Sequence, residues 1–437
     1  MIPGLWRVSL YVLVAICPLI LALVFGSPND NILWNISQGF ALTAITILAL
    51  QTALAARFKW ITRAFGFDIV IRYHRNISIF ACCLLVFHPL LLILGGAGWS
   101  LIYTGNLFIW LGKVALFLVI LNVFISVYQN RLKLKFERWR FFHDVLSPAL
   151  LVLAFIHSWF VGTDLPESPL RILWVLLLGA ALVIFVYHRF IRPWNLARRP
   201  YQVADVKQEA ETVWTVKLSP PAGGEIFDYV PGQFQFIKFL RGRGLPEEEH
   251  HWTISSSPSQ KTYLSSTIKE LGDFTATIGE TEPGDKAVVH APFGRFSYLF
   301  HPGEKDLVFI AGGIGITPLI SMLRYMRDNK ETLSVTLLYG NPDKDSIVFD
   351  QELRDIEQGG HPSLKVIHIL QEPDKDWTGE SGYIDREIIE KYCGENLSEK
   401  GFYVVGPPAL IEKSIQNLRD LGVKDSHIHL ELFSFLD

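Results

Sequence analysis

Four histidines stand at matched intervals. His74 and His88 lie in IRYHRNISIFACCLLVFHPLLL, His143 and His157 in FFHDVLSPALLVLAFIHSWF, and each pair is fourteen residues apart. Fourteen residues at 3.6 per turn fall about 40° short of four full turns and climb roughly 21 Å of helix axis. A helix carrying such a pair presents two imidazoles on one face, one near each side of a hydrocarbon core about 30 Å thick. Two such helices facing each other offer two bis-imidazole sites stacked along the membrane normal. Neutral imidazole is a good axial ligand for iron, and haem is a flat, apolar macrocycle that fits between helices. Interhelical hydrogen bonding or proton relay is the other role open to imidazoles in an apolar bundle. One pair at this spacing is weak evidence, whereas two pairs at matched depth favour the metal ligands His74, His88, His143 and His157.

The elements that must position them are apolar runs of spanning length: Val8 to Phe25, Ile32 to Ala55, Ile69 to Leu94, Leu107 to Val127, Phe142 to Phe160 and Ile172 to Phe190. Arg7 precedes the first, which reads as a retained span because no convincing small-residue cleavage site follows. The loops GSPNDN, GGAGWSLIYTGN and VGTDLPESP hold no Lys or Arg, whereas RFKWITR, QNRLKLKFERWR and HRFIRPWNLARR are dense with both. The positive-inside rule therefore predicts cytoplasmic termini, with His74 and His143 on the cytoplasmic side and His88 and His157 outside. Ser147-Pro148 is placed to kink the fifth span. Arg72 and Arg75 flank His74 as interface anchors or haem-propionate partners. Lys113, inside the fourth span, either snorkels or meets an outer propionate or anionic product. His188 has no partner at the right interval and reads as an interface residue.

Half of the 437 residues are hydrophobic, but the long apolar runs stop near residue 190 and the rest is charged and strand-like. A net charge of −3 and the lack of a basic, aromatic-interleaved surface argue against nucleic-acid binding. Four cysteines without a CxxC indicate neither a disulfide framework nor a zinc site. From Tyr201 short β-type runs dominate, and after APFGRFS the pattern turns to strand-helix alternation. DLVFIAGGIGITPLISMLRYM is a buried strand, a glycine turn and an amphipathic helix. Gly312, Gly313 and Gly315 suit close approach of a pyrophosphate to a helix N-terminus. Pro318 stands where the usual dinucleotide fingerprint has its third glycine.

HHWTISSSP, IKELGDFT, AGGIGITPL, YVVGPPALI and the terminal HIHLELFSF, in that order, resemble the ferredoxin-NADP reductase superfamily. With the paired histidines, nearly the whole chain resembles the ferric reductase and NADPH oxidase family of transmembrane flavocytochromes, most of all the compact bacterial oxidases. The resemblance implies a six-helix transmembrane bundle over 1–195 binding two b-type haems, a β-barrel FAD domain over 200–300, and an α/β Rossmann-like NAD(P) domain over 301–437. It also implies an integral protein of a bacterial inner or plasma membrane, with both termini and the flavin and nucleotide domains cytoplasmic.

By the same resemblance His250, Trp252, Thr253 and Ser255 contact the flavin, and Lys269 with the turn from Gly272 to Thr275 holds its pyrophosphate. Gly312, Gly313, Gly315, Thr317 and Pro318 cradle NAD(P)H, with Gly406 and Pro407 beside its nicotinamide end. Phe433 is the near-terminal aromatic that covers the flavin and moves for hydride transfer, with Phe435 the competing candidate. Val405 departs from the family's frequent cysteine, and HHW from the commoner His-Pro-Phe. The implied activity carries electrons from cytosolic NAD(P)H through FAD and two haems to the outer face. Dioxygen giving superoxide is the favoured acceptor, and a ferric or other metal chelate the alternative, although Asp164 and Glu167 are nearly the only outer-loop ligands for it. Two further readings are an electron donor to an extracytoplasmic protein and a membrane-tethered flavin reductase without haem. After LLYG, Lys344 and Ser346 suit a 2′-phosphate, while Asp343 and Asp345 oppose one.

Overall fold

The computed structural model describes residues 4–26, 28–163, 165 and 168–432. Two compact units divide the chain, 1–193 and 194–437. In the first, helices run over α1 Leu5–Phe25, α2 Ile32–Ala55, α3 Lys59–Phe65, α4 Phe67–Leu92, α5 Ser100–Tyr103, α6 Leu107–Val127, α7 Phe136–Val161 and α8 Ser168–Val186. A further short helix, α9 Arg192–Ala197, begins at the end of this unit. Among the described residues, six helical stretches are long and apolar enough to cross a membrane. Side-chain caps start two of them: Asn31 accepts from the Leu33 N–H at α2, and Asn106 from those of Phe108 and Ile109 at α6.

Helix α2 is the centre of this unit and packs against α1, α4 and α8, while α6 packs against α7. Its core gathers Leu42, Ile45 and Ile47 of α2 with Leu85, Val119, Leu151 and the fully buried Trp174. The outer surface stays apolar, with Val183 68% and Phe117 61% exposed, which suits lipid as solvent.

The second unit holds two six-stranded sheets. The first is antiparallel, built from β1 Tyr201–Ala210, β2 Val213–Ser219, β3 Phe234–Leu240, β4 Glu249–Thr253, β5 Leu264–Lys269 and β6 Lys286–Phe293, in the order β4-β3-β6-β1-β2-β5. Its edges approach just past β4, where the Ser255 N–H donates to the Ser265 carbonyl at 2.8 Å. No ladder joins β4 to β5 among the described residues. The expected barrel is thus seen as a curved antiparallel sheet whose edges meet at this backbone bond and through side-chain hydroxyls, the Ser266 hydroxyl donating to the Thr253 carbonyl at 2.9 Å among them.

The second sheet is parallel. Its elements are β7 Asp306–Gly312, α10 Ile316–Asp328, β8 Ser334–Asn341, α11 Asp350–Gly359, β9 Ser363–Leu370, β10 Glu380–Ser381, α12 Arg386–Cys393, β11 Gly401–Val405, α13 Pro408–Asp420 and β12 Ile428–Glu431. The strand order is β10-β9-β8-β7-β11-β12. Leu307 to Ala311 are fully buried, as a central strand covered on both faces requires. Successive crossovers lead from β7 out to β9 on one side, and later ones return through β11 to β12 on the other. The order therefore reverses between β7 and β11, the position at which open α/β sheets form a ligand crevice.

Candidate functional site

Helix α4 carries His74 and His88, and α7 carries His143 and His157. At one end the His74 and His143 rings lie with centroids 6.2 Å apart and planes at 66°. Two imidazoles on opposite sides of one metal ion, at metal–nitrogen distances of about 2 Å, put their centroids roughly 6 Å apart. The His143 Nδ1 lies 3.1 Å from Asn122 Oδ1 of α6, and the Asn122 amide donates to Ser147 Oγ at 3.2 Å. Trp139 packs one turn away with its ring 5.4 Å from that of His143. His74 Nδ1 is buried without a hydrogen-bond partner among the described residues.

At the other end His88 Nδ1 lies 3.0 Å from the Ser37 carbonyl of α2 and 2.8 Å from Ser37 Oγ, whose own hydroxyl donates to the His88 carbonyl. His157 Nδ1 lies 2.8 Å from the Phe108 carbonyl of α6. A Cβ at Gly112 would sit 2.6 Å from His157 Nδ1 and within 2.8 Å of two more ring atoms, so only a glycine leaves the ring its place. For His88, His143 and His157 an acceptor faces Nδ1. It calls for the Nδ1–H tautomer and leaves the Nε2 lone pair for a metal. The four-imidazole donor set and the Gly112 cradle fit bis-imidazole coordination, with the Nδ1 acceptor present for three of the four rings.

Of the charged groups singled out nearby, Arg72 pairs with Asp68 at 2.8 Å on its own helix. Lys113 reaches back along α6 to donate to the Ile102 carbonyl at 2.7 Å, its ammonium 4.2 Å from the Trp110 ring, which is the snorkelling arrangement. His188 contacts the Arg192 guanidinium. Helix α7 runs without interruption through Pro148.

On β4, residues His250 and Trp252 share a face and meet Phe274 in a three-ring cluster. The His250 and Phe274 centroids are 4.3 Å apart, and the Trp252 and Phe274 planes lie within 23°. His250 Nε2 also pairs with Glu248 at 3.0 Å. The guanidinium of the buried Arg241 lies 5.2 Å from the Phe274 ring and bonds the Thr277 and Pro246 carbonyls. Thr253 and Ser255 are buried: the Thr253 carbonyl accepts from Ser266 Oγ, and Ser255 Oγ joins Ser265 and Thr267 in a hydroxyl network. Lys269 ends β5. In the following turn the Thr275 hydroxyl accepts from the N–H groups of Leu271 and Gly272, at 2.8 and 2.9 Å. Phe433, Phe435, Asp164 and Glu167 lie outside the described residues.

The glycines converge on the crevice between β7 and β11. A Cβ on Gly312 would meet Leu410 Cδ2 at 2.6 Å and Pro407 Cδ at 2.9 Å, and one on Gly315 would meet the Val405 carbonyl oxygen at 2.6 Å. Gly406 (φ 158°) faces Gly312 across the same gap, its Cβ position 3.1 Å from the Gly312 nitrogen. Gly313 has open space around it but a φ of 53°, so there the backbone conformation is what favours glycine. The Thr317 hydroxyl donates to the Ile314 carbonyl at 3.1 Å, and Pro318 is buried in the first turn of α10. Near the end of β8, Ser346 is engaged by Asp343, whose Oδ1 accepts from its N–H and its hydroxyl at 2.8 and 2.7 Å.

The positions not singled out from the sequence are Ser37, Gly112, Asn122 and Arg241, and Phe274 lies inside the Gly272–Thr275 turn that was, though not for its ring. The two polar ones within apolar spans, Ser37 and Asn122, carried a signal, because a polar group at that depth needs a partner.

Residues 40–154 match the family described as ferric reductase like transmembrane component, and residues 309–416 that described as oxidoreductase NAD-binding domain. Among curated proteins, NADH-cytochrome b5 reductase 1 of Dictyostelium discoideum is 29% identical over 197 residues, 44% of this chain and 68% of that one. The flavohemoprotein of Bacillus subtilis is 25% identical over 243 residues, 54% of this chain and 59% of that one. The chain thus spans roughly six to seven tenths of the length of these relatives. Among solved structures, the FAD/NAD binding domain of nitric oxide dioxygenase from Vibrio cholerae is 23% identical with a TM-score of 0.48, covering 53% of this chain and 97% of that domain.

Proposed function

We propose that this chain, a ferric-reductase-like transmembrane component joined to an oxidoreductase NAD-binding domain, carries electrons from NAD(P)H through FAD and two b-type haems to an acceptor across the membrane. The observation that carries this reading is the approach of the His74 and His143 rings to 6.2 Å, with the second histidine of each helix anchored at its far end. Bound flavin accepts a hydride and gives up electrons singly, and bound haem relays single electrons.

The chain's own residues hold and orient these groups. His74 with His143, and His88 with His157, would hold two haem irons, with the Nδ1 contacts of His88, His143 and His157 leaving their Nε2 free for the metal. Ser37, Phe108 and Asn122 fix the ring tautomers, and Gly112 makes room for the outer ring. His250, Trp252 and Phe274 offer an aromatic surface to the flavin, and Lys269 a cation for its pyrophosphate. Gly312, Gly313, Gly315 and Gly406 let the backbone approach the dinucleotide beside Thr317, Pro318 and Pro407, at the dipole of α10. Phe433 remains the proposed cover of the flavin. The domain limits 1–195, 200–300 and 301–437, the cytoplasmic placement of the soluble unit and the bacterial membrane belong to this proposal.

Dioxygen is the proposed acceptor, since it needs only access to the outer haem edge and the outer loops are short. The ferric alternative has one observation in its favour, a surface depression lined by Pro28, Asn29, Asp30, Trp34 and Thr163 that includes a carboxylate. The test is NADPH-driven reduction of cytochrome c by the detergent-purified protein, with and without superoxide dismutase, beside reduction of a ferric chelate under nitrogen. Dismutase-sensitive reduction supports the oxidase. Chelate reduction that persists without oxygen, with no dismutase-sensitive signal, replaces it with the metal reductase.

A further inference from the structure

Three side chains that the electron path does not use converge at the opposite end of the parallel sheet from the glycine crevice. His301 follows the short turn before β7, Glu304 sits two residues ahead of that strand, and His429 is the second residue of β12. One ligand atom from each lies within 4.8 Å of the other two. His429 Nε2 is 2.8 Å from Glu304 Oε1, and the His301 and His429 rings stack with centroids 3.8 Å apart.

The site is built around the carboxylate. The Tyr403 hydroxyl donates to Glu304 Oε2 at 2.7 Å, and Tyr403 is the register partner of His429 on β11. A Cβ at Gly401 would lie 2.1 Å from Glu304 Oε2, so that glycine clears the space the carboxylate occupies. Glu304 and His429 side chains are only 9% and 12% exposed. The His301 ring makes no hydrogen bond among the described residues, although two nitrogens on it are available. His427 brings one more imidazole to the neighbourhood, with a buried Nδ1 that has no partner among the described residues.

We propose that His301, Glu304 and His429 bind a divalent transition-metal ion of the Zn²⁺ type, with Tyr403 orienting the carboxylate from behind. Two imidazoles and one carboxylate form a borderline set that suits such an ion and leaves a fourth position for water. Ligand atoms on a tetrahedral ion at about 2.1 Å lie about 3.4 Å apart, so side-chain movements on the order of 1 Å complete the site. The ion takes the position now bridged by the His429–Glu304 hydrogen bond. It ties β12 to the turn entering β7, fixing the strand that leads to the C-terminal residues.

The test uses the full-length protein in detergent, stripped with chelator and titrated with ZnCl₂. Bound zinc is counted by elemental analysis after gel filtration, and the affinity is read by calorimetry. One equivalent per chain is expected, weakened at least tenfold in His301→Ala and in Glu304→Gln. Tyr403→Phe is expected to lose 10–100-fold, the usual effect of removing a group that orients a metal ligand. His301→Phe removes both ring nitrogens but keeps a ring against His429, so it should lose zinc as His301→Ala does while its thermal melt without zinc stays near the parent's, separating lost binding from lost folding. Absence of tight zinc binding, or binding that His301→Ala and Glu304→Gln both leave unchanged, overturns the proposal and leaves a hydrogen-bonded structural triad.

Discussion

A methyl group at Gly112 would lie 2.6–2.8 Å from three ring atoms of His157, closer than real Cβ contacts come. The ring must move, and moving it breaks the Nδ1 contact with the Phe108 carbonyl. Gly112→Ala is therefore expected to lower outer-haem occupancy by tenfold or more while leaving the inner site filled, read as haem per chain by pyridine haemochrome assay. Equal occupancy in the variant and the parent would mean that the cradle is incidental. At the nucleotide crevice Gly315 abuts the Val405 carbonyl in the same manner, with 2.6 Å to a built Cβ. Gly315→Ala pushes the two turns apart, and the expected result is a KM for NADPH raised at least tenfold with a smaller change in kcat. The four histidines were legible because their interval is a property of the chain. Gly112 was not, because its role arises only when α6 comes alongside His157 of α7.

Helix α10 shows what holds an element in place behind a site. Its Arg324 Nη2 pairs with Glu352 of α11 at 2.6 Å, Arg327 Nη1 reaches the same carboxylate at 3.1 Å, and Arg324 Nη1 also donates to the Ser255 carbonyl just past β4. Burial alone would raise the Glu352 carboxyl, but the two guanidiniums outweigh it and hold it below the usual carboxylate range. A depressed carboxyl contributes stability that is present above its unfolded pKa of about 4.3 and is lost as pH falls through its folded value. Glu352→Gln should therefore destabilise the protein by about 2 kcal/mol at pH 7. The gap to the parent should close in thermal melts below about pH 4, and a gap independent of pH would assign the effect to packing. Among the elements, α2 and α6 fall on the bounds that hydropathy set. Helix α7 starts at Phe136 rather than Phe142, because hydropathy marks the part that sits in hydrocarbon and the charged turn before it is equally helical. RFKWITR, read as a basic loop, holds the short helix α3, since loop charge reports sidedness and not conformation.

For the whole molecule the question is whether two units make one electron path. In proteoliposomes with NADPH added only outside and cytochrome c trapped within, the account expects reduction of the trapped dye, abolished in His74→Ala. No reduction of the trapped cytochrome c, while cytochrome c added outside to a parallel sample is reduced, would describe a membrane-tethered flavin reductase. The order of parts was legible end to end, from the six apolar runs to the reversal of strand order between β7 and β11. Closure of the first sheet was not, because closure depends on how two edge strands meet and no local pattern encodes that. The most direct measurement is the haem content of the detergent-purified protein, taken from its dithionite-reduced spectrum together with iron analysis. The account predicts a b-type spectrum with two haems per chain, one in His88→Ala, and a further loss when His143 is also changed. A purified, flavin-loaded protein with no Soret band, or one whose haem content is indifferent to these histidines, would contradict it.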